Sequence, residues 1–456
     1  MKIESLIIAW RNLRNAAGIA FPLSLVSFCS SHTPDVQTLI ETWNKDKPGG
    51  VAVAWVDEKG VQFFQTGRFA KADDRPITPD TQFEIGSITK VFTSLLLAES
   101  ERAGKVSRDD PMTKYLKVPT TPEGLARLDK ITLLMLATHT SGLLRLPPNL
   151  IPANPRDPYA DYTPEMLLAA LAKSAADVKA PADYAYSNFG AAVLGQALAA
   201  AWGQSYAEAL RQHVLDPLGL KQTTLGMTGT TVPGNMAPGH DEQGTPAPNW
   251  TCDAIAPAGA LRSSTREMAL FLQACLGLRE TPLATSFTAT VQPQRPLVGL
   301  VGSIGLAWHL TADNPPIIWH NGGTGGYRSF IGFEPRGKRG VVVLVNSGQS
   351  PDGLAMKLLR GDVQLPVEIT LPVAQLPEYV GDYALTPAVG MNVTVQDGRL
   401  AVQVTGQPRF PVYASAKDKF FYTVVDAQIT FQRDAAGHVT GIVLHQNGRD
   451  FAAAKK

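Results

Sequence analysis

The first regular pattern along the chain is an unbroken apolar run, Gly50-Val51-Ala52-Val53-Ala54-Trp55-Val56, followed by polar Asp57-Glu58-Lys59-Gly60 and then Val61-Gln62-Phe63-Phe64-Gln65. Two β runs around a glycine-containing turn predict a hairpin. From about Ser87 the period becomes helical: Val91-Phe92-Thr93-Ser94-Leu95-Leu96-Leu97-Ala98 has apolar residues at helical spacing, and Gly104 is a C-terminal stop. Ser87 is therefore expected at a helix start. Residues 105 to 280 read as mostly helical with long proline-rich connections. Thr163-Pro164-Glu165 predicts an N-cap with proline at the first helical position, and Ser264-Thr265-Arg266-Glu267 predicts a capping box. Asn188 to Trp202 reads as an apolar helix whose Gly190 and Gly195 allow close packing.

Strand character returns at Pro316–His320, Tyr327–Phe333 and Val341–Val345, with Pro335-Arg336-Gly337 as a turn. These late strands must pair with the early hairpin to bury their shared face, and a helix near Asp352 to Leu359 closes the unit. From Leu376 the pattern changes to eight short alternating runs: Tyr379–Tyr383, Met391–Val395, Leu400–Val404, Phe410–Ala414, Phe420–Val425, Ile429–Gln432, Val439–His445 and Asp450–Ala453. Asp397-Gly398, Ala436-Gly437 and Asn447-Gly448 supply hairpin turns. The expected fold class is α+β: an antiparallel sheet flanked by helices, with a large helical insert, plus a small C-terminal antiparallel β-barrel. The expected boundaries are 36–362 for the first domain, 363–375 for a proline-rich linker and 376–456 for the barrel.

Composition narrows the function classes. The 456 residues are 44% hydrophobic, and 41 Lys+Arg against 40 Asp+Glu leave a formal charge of +1. A nucleic-acid binder would carry a basic excess and a disordered chain low hydrophobicity with a large charge, so neither class fits. The length suits two or three domains.

At the N-terminus, Lys2, Arg11 and Arg14 precede an uncharged run from Asn15 to Ser31 that includes Ile19–Val26 and ends in small residues. Charged, apolar and small regions in that order predict a secretory signal over 1–31, hence a secreted or periplasmic protein. The run is shorter than the ~20 apolar residues of a membrane span and contains Pro22. Lipid anchoring through Cys29 is the alternative, with bulky Phe28 against it. Once the signal is removed, Cys252 and Cys275 remain, too few for a disulfide framework.

Three motifs carry the candidate chemistry. Ser87-Ile88-Thr89-Lys90 is an S-x-x-K, whose spacing places both side chains on one helical face so that Lys90 can reach the Ser87 hydroxyl. A serine needs a neighbouring base to become a nucleophile, and a helix N-terminus adds N–H groups for an oxyanion. Tyr186-Ser187-Asn188 lies at the entrance to the Asn188–Trp202 helix; a phenol can shuttle a proton if cations lower its pKa, and an amide can grip a substrate carbonyl. The bland alternative is an Asn cap with a packed tyrosine. His320-Asn321-Gly322-Gly323 ends an apolar strand, where glycine lets a substrate backbone approach and the imidazole offers a switchable charge. Its bland alternative is a glycine turn. Each motif alone is weak; an S-x-x-K arises by chance about once in a chain this long.

Together and in this order, they resemble the penicillin-recognising serine hydrolases: class C β-lactamases, D-Ala-D-Ala carboxypeptidases and related esterases and D-aminopeptidases. Phe83-Glu84-Ile85-Gly86, Leu136-Ala137-Thr138-His139-Thr140-Ser141-Gly142-Leu143 and Pro257-Ala258-Gly259-Ala260-Leu261-Arg262-Ser263-Ser264 also look like the family, so the similarity covers about residues 36 to 362. The resemblance implies Ser87 as acylated nucleophile, Lys90 as its activating partner, Tyr186 as proton shuttle and Asn188 as binder of the substrate amide. It places His320, Gly322 and Gly323 at the substrate, with the Ser87 and Gly323 N–H groups as oxyanion hole. His320 stands where class C β-lactamases usually have the lysine of a K-T-G, and Asn321 replaces a hydroxyl. Both changes weaken the grip on a substrate carboxylate.

The expected function is therefore a secreted serine hydrolase acting through an acyl-serine on β-lactams or D-Ala-type peptide amides. A carboxylesterase of the same fold and a penicillin-binding sensor acylated without turnover are the alternatives. The expected partner is a small-molecule substrate, with no nucleic acid, no membrane span after signal removal and no cofactor. No H-E-x-x-H occurs and neither His309 nor His320 has metal-ligand spacing, so no metal is expected. Gly322–Gly326 lacks the G-K-[ST] of a phosphate loop, and Ser141 lacks the G-x-S-x-G elbow of a rival nucleophile. The barrel resembles lipocalin-like domains appended to some members of the family and could carry a ligand, cover the cleft or stabilise the rest. Any preference for anionic substrates must come from local groups such as Lys90, His320 and Arg328, because the net charge supplies no field.

Overall fold

The computed structural model describes residues 36–70, 73–297, 302–361, 369–385, 389–407, 409–422, 427–446 and 449–456. The expected signal segment 1–31, residues 363–368 of the expected linker and the expected turn at Asn447-Gly448 lie outside the described residues.

The early hairpin, Gly50–Asp57 with Gly60–Ala70, pairs with the late strand Arg339–Val345 in a register running from Val51 opposite Val345 to Val56 opposite Gly340. That strand continues antiparallel into Arg328–Glu334 and then Ile318–Gly323. Successive side chains of a strand point to opposite faces, and here both faces are covered. Val51, Val53, Val341, Val343 and Val345 meet the terminal helices Val36–Asn44 and Asp352–Arg360 through Leu39, Ile40, Leu354 and Leu358. Ala52, Ala54, Val342 and Leu344 face the helical insert. Burial on both sides explains why these strands read as continuous apolar runs rather than alternating ones.

Two-residue strands at His309–Leu310, Ser303–Ile304 and Arg295–Pro296 extend the sheet beyond Ile318–Gly323. They were not expected, since two residues show no period. The helical insert follows the expected signals with one change. Thr163 accepts from the Met166 N–H as predicted, but the Ser264 box is only half made. The Glu267 carboxylate binds the Thr223 hydroxyl at 2.6 Å and the Gln222 N–H at 2.8 Å instead of returning to Ser264. Gly195 is required for packing, because a Cβ there would overlap the ring of Pro257. Cys252 and Cys275 are free thiols.

The C-terminal strands from Gly381 to Lys455 close into an eight-stranded barrel, sealed by Tyr383 opposite Lys455. The expected first strand, Tyr379–Tyr383, is shortened because Val373–Tyr379 forms a 3-10 turn containing Pro377. That turn delivers Leu376 and Tyr379 into the barrel interior. Tyr379, Tyr383, Phe420 and Phe431 form a cluster with ring centroids 4.7–5.8 Å apart. Eight strands leave an interior just wide enough for side chains, and these aromatics occupy it. Phe431→Ala should therefore leave a cavity and cost about 3–5 kcal/mol, read as a lowered urea midpoint of the full chain. A cost below ~1 kcal/mol would mean that the interior is loosely filled.

Candidate active site

Ser87 sits in a 3-10 turn, Gly86–Ile88, that leads directly into the helix Thr89–Arg102. This helix is buried on nearly all sides from Thr89 to Ser100, as expected of one that carries apolar residues around its circumference. Gly86 has φ +51° and a Cβ there would stand 2.6 Å from the Gly323 nitrogen. At Gly322 a Cβ would overlap the Ile85 carbonyl. Only glycine at these positions lets the end of the His320 strand cross the backbone beside Ser87.

One turn along the helix, Lys90 Nζ lies 2.9 Å from Ser87 Oγ and donates to the Ala258 carbonyl at 2.7 Å. The side chain is buried and has no acidic partner within ion-pair distance among the described residues. Burial holds its pKa well below the ordinary value of 10.5, and Arg145 pushes the same way. Both effects favour the amine over the ammonium against the serine.

Tyr186 approaches from the start of the helix Asn188–Trp202, its ring centroid 4.9 Å from Lys90 Nζ. Burial raises its pKa, outweighing the Ser87 hydrogen bond and Arg145, which lower it. The lowered pKa that a phenolate shuttle would need is absent, and Tyr186 is a neutral phenol. The helix cap is Ser187, which accepts from the Gly190 N–H at 2.8 Å. Asn188 is therefore the first helical residue and not the cap, and its Oδ1 is buried without a partner.

His320 donates from Nδ1 to the Asn321 carbonyl at 2.6 Å, which leaves Nε2 as an acceptor, buried and unpartnered. Burial drives its pKa well below 6.5, assisted by His309 and Lys90. The switchable charge expected of this imidazole is thus lost to desolvation. Asn321 turns away and donates to Asp352 at 2.6 Å.

The structure adds residues that the motif search did not single out as site groups. His139 accepts the Ser187 N–H on Nδ1 at 3.2 Å, and its ring lies tilted against Tyr186 with centroids 4.5 Å apart. His309 meets the Tyr184 hydroxyl at 3.0 Å and lies 5.2 Å from His320. Arg145 places its guanidinium over the same Tyr186 ring, 5.1 Å from the centroid. The only sequence signal for any of them was the stretch around His139. Ser141 is buried in a turn, its hydroxyl accepting from the Leu143 N–H. No group of His, Cys, Asp or Glu among the described residues is arranged to hold a metal.

A family model described as Beta-lactamase matches residues 36–365, and one described as a domain of unknown function (DUF3471) matches 365–455. The chain is 27% identical to a beta-lactamase of Pseudomonas fluorescens, over 65% of this chain and 88% of the relative. It is also 27% identical to the D-alanyl-D-alanine-carboxypeptidase/endopeptidase AmpH of Escherichia coli K12, over 65% of this chain and 79% of the relative. The solved class C beta lactamase of Rhodobacter sphaeroides is 26% identical with a TM-score of 0.60, covering 72% of this chain and 97% of its own. With sheet, helical insert and family match agreeing over well more than half of its length, the chain belongs to the beta-lactamase family of serine hydrolases.

Proposed function

We propose that the chain opens β-lactams or cleaves D-alanine-type peptide amides through an acyl-Ser87 ester. The observation that carries this reading is the buried Lys90 Nζ 2.9 Å from Ser87 Oγ, in surroundings that favour its amine form. Ser87 Oγ attacks the substrate carbonyl carbon while its proton passes to Lys90 Nζ. The N–H groups of Ser87 and Gly323, whose chain segments meet at Gly86, receive the developing oxyanion. As the carbon–nitrogen bond breaks, the phenol of Tyr186 gives its proton to the leaving nitrogen and recovers one from the Lys90 ammonium. Water then attacks the ester by the reverse route. Asn188 Oδ1 accepts from the substrate amide, and His320 Nε2 accepts from a donor on the substrate. Gly322 and Gly323 leave room for its backbone.

Neutral His320 favours a second reading, a carboxylic ester as substrate, because an ester needs no cation at that strand position. Export to the periplasm or medium is proposed from the N-terminal residue order alone; no helix among the described residues is long and apolar enough to cross a membrane.

A mass-spectrometry time course with a penicillin tests the reading. A transient adduct on Ser87 is expected, absent in Ser87→Ala, with turnover down at least about a thousandfold. A persistent adduct indicates a sensor, and no adduct with ester turnover indicates an esterase.

The state of Lys90 has a separate signature. Because its folded pKa is depressed, the unfolded chain binds a proton that the folded chain does not, so stability rises with pH up to the ordinary lysine range. Relative to Lys90→Met, the wild type should gain up to about 1.4 kcal/mol per pH unit as the pH rises toward the ordinary lysine value of 10.5. Urea midpoints measure it, and a flat difference would show a charged Lys90 that cannot act as the base.

A further inference from the structure

We propose that Arg145 receives a carboxylate on the acyl half of the substrate, supplying the charge recognition that the H-x-G strand lacks. The inference rests on the acyl-Ser87 reading and specifies which substrates that site prefers.

The argument starts from the fate of the other cations. Lys90 is buried and occupied by Ser87 and the Ala258 carbonyl. His139, His309 and His320 are buried imidazoles, each without charge. Arg328, across from Gly323 in the sheet, donates from Nη1 to the carbonyls of Thr324 at 2.7 Å and Tyr327 at 2.9 Å. Glu242 and Asp352 also face it. Of the local groups expected from the sequence, Lys90 and His320 are thus taken up, and the charge of Arg328 is partly met by its carbonyl and carboxylate neighbours.

Arg145 differs on each count. It is exposed, makes no ion pair among the described residues, and lies over the Tyr186 ring. Its guanidinium lies 5.1 Å from the same Tyr186 ring centroid that stands 4.9 Å from Lys90 Nζ, which places it among the site groups rather than on a remote surface. The loop that bears it is anchored. The Arg145 carbonyl accepts the N–H groups of Asn188 at 2.9 Å and Phe189 at 3.3 Å, and the neighbouring Leu144 carbonyl accepts the Ser187 hydroxyl at 2.6 Å. Arg145 therefore stands beside Asn188, the residue assigned to the substrate's acyl-side amide. A guanidinium stays charged at every working pH and offers a planar fork to a carboxylate. Its stacking on Tyr186 holds that fork at the mouth of the site without consuming its donors.

The test uses the full chain with two chromogenic esters, 4-nitrophenyl hydrogen adipate and its methyl ester, which share leaving group and chain length. The wild type should prefer the acid in kcat/KM, with the preference shrinking as salt rises. Arg145→Gln should lower the acid-to-ester ratio about tenfold, mainly through KM, and Arg145→Lys should keep most of it. An unchanged ratio overturns the inference, including the case where both rates fall together with a shifted pH profile, since Arg145 would then act only on Tyr186. Failure of the wild type to turn over or be acylated by either ester overturns the acyl-serine reading and the inference with it.

Discussion

The site depends on taking one lysine out of water without giving it a carboxylate. Isolated in the interior, an ammonium is far more costly than an amine, so the fold itself sets the protonation state of Lys90. What holds the side chain there is the packing around it. The helix Thr89–Arg102 is enclosed by the insert, Gly195 lets the Asn188–Trp202 helix close onto Pro257, and the adjoining Ala258 carbonyl takes a proton-bearing face of the amine. Thr93 is drawn into the same junction by the Tyr206 hydroxyl and the Pro257 carbonyl. A methyl group at Gly195 would thus act on the surroundings of Lys90, by forcing apart two of the elements that bury it.

The same desolvation governs the neighbours. Tyr186 is pushed toward the phenol and the three imidazoles toward neutrality, so the groups facing Ser87 divide into acceptors and donors without net charge. Such a set can pass protons between Ser87, Lys90 and Tyr186 with little change in solvation at each transfer.

Much of this was legible in the chain because it is local. The S-x-x-K spacing, the returning apolar strands and the alternating C-terminal runs each state their geometry within a dozen residues. What was not legible depends on distant segments meeting. Nothing near Glu267 says that its carboxylate will be claimed by Thr223 rather than by its own N-cap. His309 sits on a two-residue strand too short to show a period, and Arg145 follows a turn with no motif of its own. The charge states were the least readable feature: the switchable charge offered by His320 and the condition that cations lower Tyr186 both meet burial that outweighs the neighbours. Burial is a property of the assembled core, not of any short stretch.

The barrel obeys the same logic with a different outcome. Its aromatic residues converge on the axis, and the Tyr383 hydroxyl donates to the Tyr379 carbonyl at 2.7 Å inside that cluster. Space that a ligand-carrying barrel would leave open is here a packed core, because the 3-10 turn preceding the first strand inserts Tyr379 where a ligand would sit. Among the alternatives for such an appended barrel, carriage of a small molecule in the lumen therefore conflicts with the packing. Any influence on hydrolysis has to pass through the barrel's outer surface, whose polar side chains alternate with the buried ones along each strand.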